Sequence, residues 1–321
     1  MSAPPTNRSL ARRLRACGLL LPAGALLLTC WILNVSRLGS RAEGCPEGCA
    51  TETPGRDNEL RLMSLNMLHG FPRFTQLGER LALIASEIER LDADIVCLQE
   101  VPWVPPMGGA AGYLAQRTGM NHVYVRANGN RRAILFEEGE AILSRYPLRE
   151  VTFTELRPQA GFFEHRMALK AAVESPWGDV TVFVTHLTNG DPEVNRAQAE
   201  SLMTFVDSDA HHLAIIAGDF NATEDSAQIQ SISQRAEDAW RLVHGPEEGF
   251  TCCVDDLTSA RTARLQKRID YVFLVAAPKQ DVRVSDAQVI LNHPFETSAG
   301  RVWASDHAGL LVTLSTLGGL D

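Results

Sequence analysis

Several apolar strands of this chain end in, or enclose, residues that water would normally hold. Leu60-Arg-Leu-Met-Ser-Leu65 runs into Asn66, and Asp94-Ile-Val-Cys-Leu-Gln99 runs into Glu100. Val180-Thr-Val-Phe-Val-Thr185 runs into His186, and the stretch HHLAIIAGDFN (211–221) carries Asp219 and Asn221 at its end. Asp270 lies inside IDYVFL, and Ser305-Asp306-His307 opens the last apolar run. A carboxylate in a packed strand is costly unless paired or metal-bound. Several acids at strand ends, with two histidines and two asparagines, therefore point to one convergent polar site on a rigid sheet scaffold.

The chain has 321 residues and 45% apolar content, enough for a sizeable core in one large domain. Net charge is −9, but the first 42 residues hold six arginines and no acid. The remainder carries 24 basic against 39 acidic groups. An acidic body argues against loose nucleic-acid binding driven by counterion release. It does not exclude a nuclease, because a bound cation and a local basic strip can dominate at a site.

Arg8, Arg12, Arg13 and Arg15 precede an uncharged stretch from Ala16 to Ser36, 21 residues that could span a bilayer as a helix. The basic flank favours a cytoplasmic N-terminus and an exported body. A cleaved signal peptide is the alternative, because Pro22 and Gly24 weaken the helix. Leu27-Leu-Thr-Cys30 is a poor lipobox. The chain thus divides into a basic segment (1–15), a transmembrane anchor or signal (16–36), a linker rich in Gly, Pro, Glu and Thr (37–58) and a body (59–318). Cys45 and Cys49 fall in the linker, and Cys252 and Cys253 in a later loop. An exported body permits disulfides, whose connectivity the sequence leaves open. A zinc site from these four is conceivable, although their spacing matches no known ligand pattern. Cys97 reads as a small core residue.

The body alternates strands and helices. Leu77, Leu81, Ile84, Ile88 and Leu91 share one helical face. A second helix is expected near 110–118, stopping at Gly119, and a third from about 192 to 206 with Pro192 in its first turn. Strands are expected near 121–126, 131–136, 139–144, 149–154, 166–174, 282–291 and 307–314. Many strands with few helices imply two packed sheets with helices covering their outer faces.

Taken singly, the polar residues have bland explanations. Asn66 fits a turn, Glu100 a solvated strand end, and His186 a satisfied core histidine. Arg166 fits a surface strand, and Asp306 with His307 a strand start. Asp219 and Asn221 are more telling beside Gly218, and Asp270 needs a partner, for which His307 is the natural candidate. Their joint order resembles the endonuclease/exonuclease/phosphatase superfamily, the group of DNase I, exonuclease III-type abasic endonucleases, inositol polyphosphate 5-phosphatases and neutral sphingomyelinases. The matching blocks are LRLMSLNMLHG, DIVCLQEV, GEAILSRYPL, VTVFVTHL, IIAGDFNATEDS, RIDYVFL and SDHAGLLVTL, spread over residues 59 to 315.

The resemblance implies a four-layer α/β/β/α sandwich with its site at one edge between the sheets. It implies Mg²⁺, with Mn²⁺ as a possible substitute, held mainly by Glu100 with Asn66 and Asp306. Hard oxygen ligands suit that ion. It implies that Asp219 orients or deprotonates the attacking water, that Asn221 positions it or hydrogen-bonds phosphate, and that His186 and Asp270-held His307 contact the scissile phosphate and stabilise developing charge. Arg166 would add a phosphate contact. Some family nucleases carry an acid two residues after the first Asn; Leu68 stands there, which weakens the case for a second metal and for an abasic endonuclease. The expected activity is a membrane-anchored or exported phosphodiesterase acting on a lipid or small phosphoester. An exported nuclease is the alternative, with Arg126, Arg131 and Arg132 as its only obvious basic rim, and a non-catalytic binding module is a remote third.

Overall fold

Strand residues here alternate between two environments, and that alternation builds the layers. The computed structural model describes residues 24–51, 58–208, 213–258, 265–275, 282–297 and 300–316. A nine-stranded sheet runs in the order Glu43–Cys45, Asn121–Gly129, Glu137–Ser144, Ile95–Gln99, Glu59–Asn66, Gly309–Thr316, Val282–Ile290, with Trp103–Val104 and Gly108–Gly109 beside it. A six-stranded sheet runs in the order Glu237–Asp238, Asp270–Val275, Leu213–Asp219, Gly178–His186, Met167–Ser175, Leu148–Glu155.

Leu62, Cys97 and Ile142 of the larger sheet meet Leu169, Val182 and Ile215 of the smaller one in a shared central core. Their neighbours along each strand point the other way. Met63, Val96 and Leu143 pack under Leu81, Ile84, Ile88 and Leu114 of the helices Leu77–Leu91 and Ala110–Thr118. Phe183, Ile216 and Phe273 pack under Leu202, Val206 and Ile229 of the helices Pro192–Asp207 and Ala227–Ser233. The result is a layering of helix, sheet, sheet and helix in which both sheets are buried on both faces, so their strands read as near-continuous apolar runs. The Asp191 side chain accepts from the N–H groups of Glu193 and Val194 and caps its helix, with Pro192 at the first position.

Each sheet contains one parallel pair. Glu59–Asn66 lies beside Ile95–Gln99, and Gly178–His186 lies beside Leu213–Asp219. All other pairings in the two sheets are antiparallel. The carboxyl ends of the two parallel pairs carry the polar residues noted above.

Three expectations change. The strand expected near 131–136 is a turn: Asn130 Oδ1 accepts from the Arg132 N–H (3.0 Å), and the Asn130 carbonyl accepts from Ala133 and Ile134. Side-chain bonding by Asn outcompetes the ladder there. The segment read as a linker holds the edge strand Glu43–Cys45, paired to Asn121–Gly129. Asn121 Oδ1 clamps it by accepting from the N–H groups of Cys49 and Ala50 (3.0 and 2.9 Å). Cys45 pairs with Cys49, and Cys252 with Cys253, so the four thiols do not form a zinc site. The expected anchor at 16–36 lies in part outside the described residues. Its described part is helical over 24–32, and among the described residues no helix is long and apolar enough to cross a membrane.

Candidate active site

His186 sits opposite Asp219 in the parallel ladder, and Asp219 sits opposite Asp270 in the antiparallel one, so three chemistry-bearing side chains form one lateral row at the sheet end. Gly218 makes this row possible, because a Cβ there would lie 2.0 Å from the Thr185 carbonyl oxygen. The other sheet brings Asn66 to the same place. Its Nδ2 donates to Glu100 Oε1 (3.1 Å) and to Asp219 Oδ2 (3.0 Å), while its Oδ1 accepts from the Leu68 N–H (3.0 Å). Asn66 thus bridges the two sheets through its amide nitrogen, and its oxygen faces the backbone rather than the cluster. Glu100 and Asn221 both adopt left-handed backbone (φ 55° and 49°), uncommon for a glutamate and characteristic of strain at functional sites.

His307 arrives on the loop before Gly309–Thr316. Ser305 Oγ donates to the Asn66 carbonyl (2.6 Å) and fixes that loop. His307 Nδ1 lies 2.9 Å from Asp270 Oδ2, and its Nε2 lies 3.7 Å from Asp219 Oδ2. Burial alone would pull the His307 imidazole down, but Asp270 and Asp219 outweigh it and hold it well above the usual histidine value. Burial and then the Asp270 charge push Asp219 up to about 7. Asp219 Oδ1 accepts from the Asn221 N–H (2.8 Å).

His186 is the contrasting histidine. Burial first, then Arg166, His307 and His69, push its imidazole well below the usual value, so it is neutral. Arg166, which can only donate, lies 2.8 Å from His186 Nδ1. Its Nε2 faces Asp219 Oδ2 at 3.5 Å, and Arg166 on Nδ1 and the Asn221 amide on Nε2 are both donors competing for the one acceptor nitrogen of a neutral ring. The Asn221 amide lies 3.0 Å from the same Nε2 and donates to the Leu187 carbonyl (2.9 Å). Arg166 also binds Glu164 (2.7 Å), so it stands in the cluster mainly as the group that orients His186.

Glu100 and Asp306 are the hard-oxygen pair. Burial pushes Glu100 up, but His69, the Asn66 amide and Arg166 outweigh it and hold the carboxyl below its usual range. Burial and the Glu100 charge push Asp306 up. An ionised carboxylate raising its neighbour is the repulsion a divalent cation relieves, and carboxylate oxygens are hard donors of the kind Mg²⁺ takes. Asp270 Oδ1 is buried without a hydrogen-bond partner. Ligand atoms of Asp219, Asp270 and His307 lie within 4.8 Å of one another, a second group able to hold a metal ion.

The structure therefore gathers Asn66, Glu100, Arg166, His186, Asp219, Asn221, Asp270, Asp306 and His307 at one sheet edge. It adds residues not singled out from the sequence. His69 Nδ1 accepts from the Phe71 N–H (2.9 Å), which leaves Nε2–H facing Glu100 Oε2 at 3.5 Å. Arg80, fully buried and pulled down to about 10 by burial, donates to the carbonyls of Ala304 (2.9 Å) and Leu68 (2.6 Å) and also to Met67. It ties the Asn66 loop to the Asp306 loop. Glu138 and Glu140 lie buried on Glu137–Ser144, and burial followed by Glu138 raises Glu140 well above its usual range. An acid inside the apolar run GEAILS is the same signal that marked Asp270. Arg126 and Arg131, by contrast, are both tied to buried Glu137 (2.6 Å each), so two of the three arginines proposed as a basic rim are spent internally.

A model of the Endonuclease/Exonuclease/phosphatase family matches residues 63–307. With that match over most of its length and this site, the chain belongs to the endonuclease/exonuclease/phosphatase family. No curated protein matches it. Among solved structures, an endonuclease/exonuclease/phosphatase from Beutenbergia cavernae is 25% identical, over 81% of this chain and 72% of its own, with a TM-score of 0.61. D. rerio TDP2 in complex with a single-strand DNA product is 19% identical, over 80% and 99%, with a TM-score of 0.64. A mannosyl-6-phosphatase from Bacteroides thetaiotaomicron is 17% identical, over 79% and 99%, with a TM-score of 0.61. The last two likenesses are of fold.

Proposed function

We propose that this protein is a Mg²⁺-dependent phosphodiesterase whose body, residues 59–318, is held at a membrane by the apolar segment 16–36 and faces away from the cytoplasm. The observation that carries the reading is the convergence on Asp219 Oδ2 of Asn66 Nδ2 (3.0 Å), His186 Nε2 (3.5 Å) and His307 Nε2 (3.7 Å). Glu100 and Asp306 would hold the ion, which supplies charge neutralisation at the phosphate oxygens.

The residues divide the remaining work. Asp219 Oδ2, held by Asn66, accepts the proton of the water that attacks phosphorus. Its raised proton affinity suits a base working near neutral pH. His307, kept charged by Asp270, donates from Nε2 to a phosphate oxygen as negative charge develops. Preorganised donors of this kind commonly supply the largest share of such catalysis. His186, its ring held between Arg166 and Asn221, contacts the scissile phosphate. Asn221 closes the site beside it. The phosphorus–oxygen bond to the leaving group breaks as the water oxygen bonds; the departing alkoxide takes a proton from solvent, and the proton taken by Asp219 returns to solvent before the next turnover.

The basic flank of the apolar segment and the two disulfides support an exported body. The acidic body, with Arg126 and Arg131 paired internally, favours a lipid or small phosphoester over nucleic acid. The test is a side-by-side assay of the full chain in detergent on sphingomyelin, inositol phosphates, plasmid DNA and bis-nitrophenyl phosphate, with Mg²⁺ or with EDTA. Mg²⁺-dependent turnover of the lipid or the small phosphodiester is expected. Turnover of DNA alone, or turnover unaffected by EDTA, refutes the reading.

A further inference from the structure

The N-terminal helix does not leave the body on a free tether. The Trp31 indole N–H donates to the Ala133 carbonyl (3.2 Å), and Asn130 Nδ2 donates to the Asn34 carbonyl (2.8 Å). Two residues further on, Ser36 Oγ accepts from the Gly129 N–H (3.0 Å), and the Arg37 N–H bonds back to the Gly129 carbonyl (3.2 Å). The uncharged stretch that begins at Ala16 therefore ends directly against the turn 130–136. Along the described helix Leu26, Leu27, Leu28, Trp31, Ile32 and Leu33 are all exposed.

The turn continues the apolar surface toward the site. Leu135 is 60% exposed and sits in left-handed backbone (φ 57°), a conformation in which leucine is uncommon. The next residue, Phe136, stacks on Phe71 (centroids 4.5 Å), which is itself 46% exposed, and packs against His69 at 5.3 Å. His69 faces Glu100. From Phe136, next to the exposed leucine, the path to the expected metal ligand is thus one ring contact to His69 and one polar contact from His69 to Glu100 (3.5 Å). A second exposed aromatic pair, Phe162 and Phe163, precedes Arg166 by four and three residues in the chain. Arg73 and Arg132, both exposed, lie near Phe71 and Leu135 in the chain. Isolated apolar side chains on a surface are ordinary, but this many exposed ones gathered by the Trp31–Ala133 and Phe136–Phe71 contacts, with basic neighbours, mark an interaction face. Its composition, apolar and aromatic tips with arginines beside them, is that of a segment settled at the headgroup level of a bilayer.

We propose that this ridge lies against the bilayer that carries the chain's own apolar segment, and that the substrate is the headgroup phosphodiester of a lipid in that bilayer. The short tether leaves the turn no distance from the membrane, so Leu135 and the Phe136–Phe71 pair beside it face the headgroup layer. The membrane contact rests on the tether, whereas the substrate assignment rests on the phosphodiesterase reading above.

Two measurements on the full chain, reconstituted in phosphatidylcholine–sphingomyelin vesicles, test this. The first is a nitroxide at position 135, placed by Leu135→Cys in a Cys17→Ser, Cys30→Ser background; among the described residues the remaining free thiol, Cys97, is buried. Faster collision with dissolved oxygen than with a water-soluble nickel chelate is expected, and the reverse overturns the proposal whatever the activity. The second compares phosphocholine release from the vesicles with hydrolysis of soluble bis-nitrophenyl phosphate. Leu135→Asn suits left-handed backbone, so folding is not at issue. Combined with Phe162→Ser it is expected to cut vesicle turnover about tenfold while soluble turnover stays within about twofold. An equal fall on both substrates, or no fall on either, overturns the lipid assignment. A membrane-buried label with neither substrate hydrolysed refutes the phosphodiesterase reading and the lipid assignment with it, while leaving the membrane contact in place.

Discussion

Asp219 is where charge, burial and geometry meet, and its neighbours make separable predictions. Its carboxyl is raised by burial and by Asp270 to about 7, whereas an unfolded aspartate titrates near 4. Between those values the folded chain binds more protons than the unfolded one, so this group's contribution to stability falls as pH rises through that window. Without divalent cations, the Tm of Asp219→Asn is expected to gain on wild type from about pH 4 to about pH 7, each kcal/mol amounting to roughly 2–4 °C in a chain of this size. A constant difference across that range would remove the argument. His307 and Asp270 act as a unit, 2.9 Å apart. Alanine at either position is expected to lower kcat by roughly 10²- to 10⁴-fold, with the double variant little worse than the poorer single; losses that simply multiply would separate them. Glu100→Ala is expected to lower activity by about a hundredfold or more, with partial recovery at high Mg²⁺. A variant with unchanged metal dependence excludes Glu100 as a ligand.

At the scale of the elements, the site is built from strand ends that stop in register. His186, Asp219 and Asp270 share one row because the parallel ladder of Val180 to His186 with Leu213 to Asp219 ends at those residues, and Asp270 opens the antiparallel neighbour. The close pass of Thr185 against Gly218 sets that register. Gly218→Ala is therefore expected to part the two strands and cost roughly 1–3 kcal/mol, the range of an overpacked core. Denaturant unfolding would measure it, and an activity loss larger than the stability loss predicts would mark displacement of Asp219. The loop at 303–308 contributes no regular structure, yet it delivers Asp306 and His307 because Ser305 and Arg80 fasten it to the Asn66 strand.

In the whole molecule, the two sheets own one core between them. Leu169, fully buried among residues of both sheets, is a probe of that union. Leu169→Ala is expected to cost about 2–5 kcal/mol and to leave a single cooperative transition by calorimetry. A variant that unfolds in two steps would show that each sheet stands with its own helices. The helix covers serve the same end, since a sheet buried on both faces keeps its edge residues from drifting toward water.

The sequence alone determined the strand runs, the helical faces and the polar residues at their ends, because burial imposes a local price on every acid in an apolar segment and a local period on every face. Residues such as Asp219 and Asp270 were legible for that reason. The amide orientation of Asn66, the opposite charge states of His186 and His307 and the clamp made by Arg80 were not, since each depends on a partner far along the chain. Arg80 sits in a helix among leucines and carries no local mark of its partners at Met67 and Ala304. The turn at 130–136 was misread as a strand because its residues alternate plausibly, while the choice was made by Asn130 and by the pull of Glu137 on Arg131. Only the tertiary structure could decide these, because pairing, desolvation and register arise when strands distant in sequence are brought edge to edge.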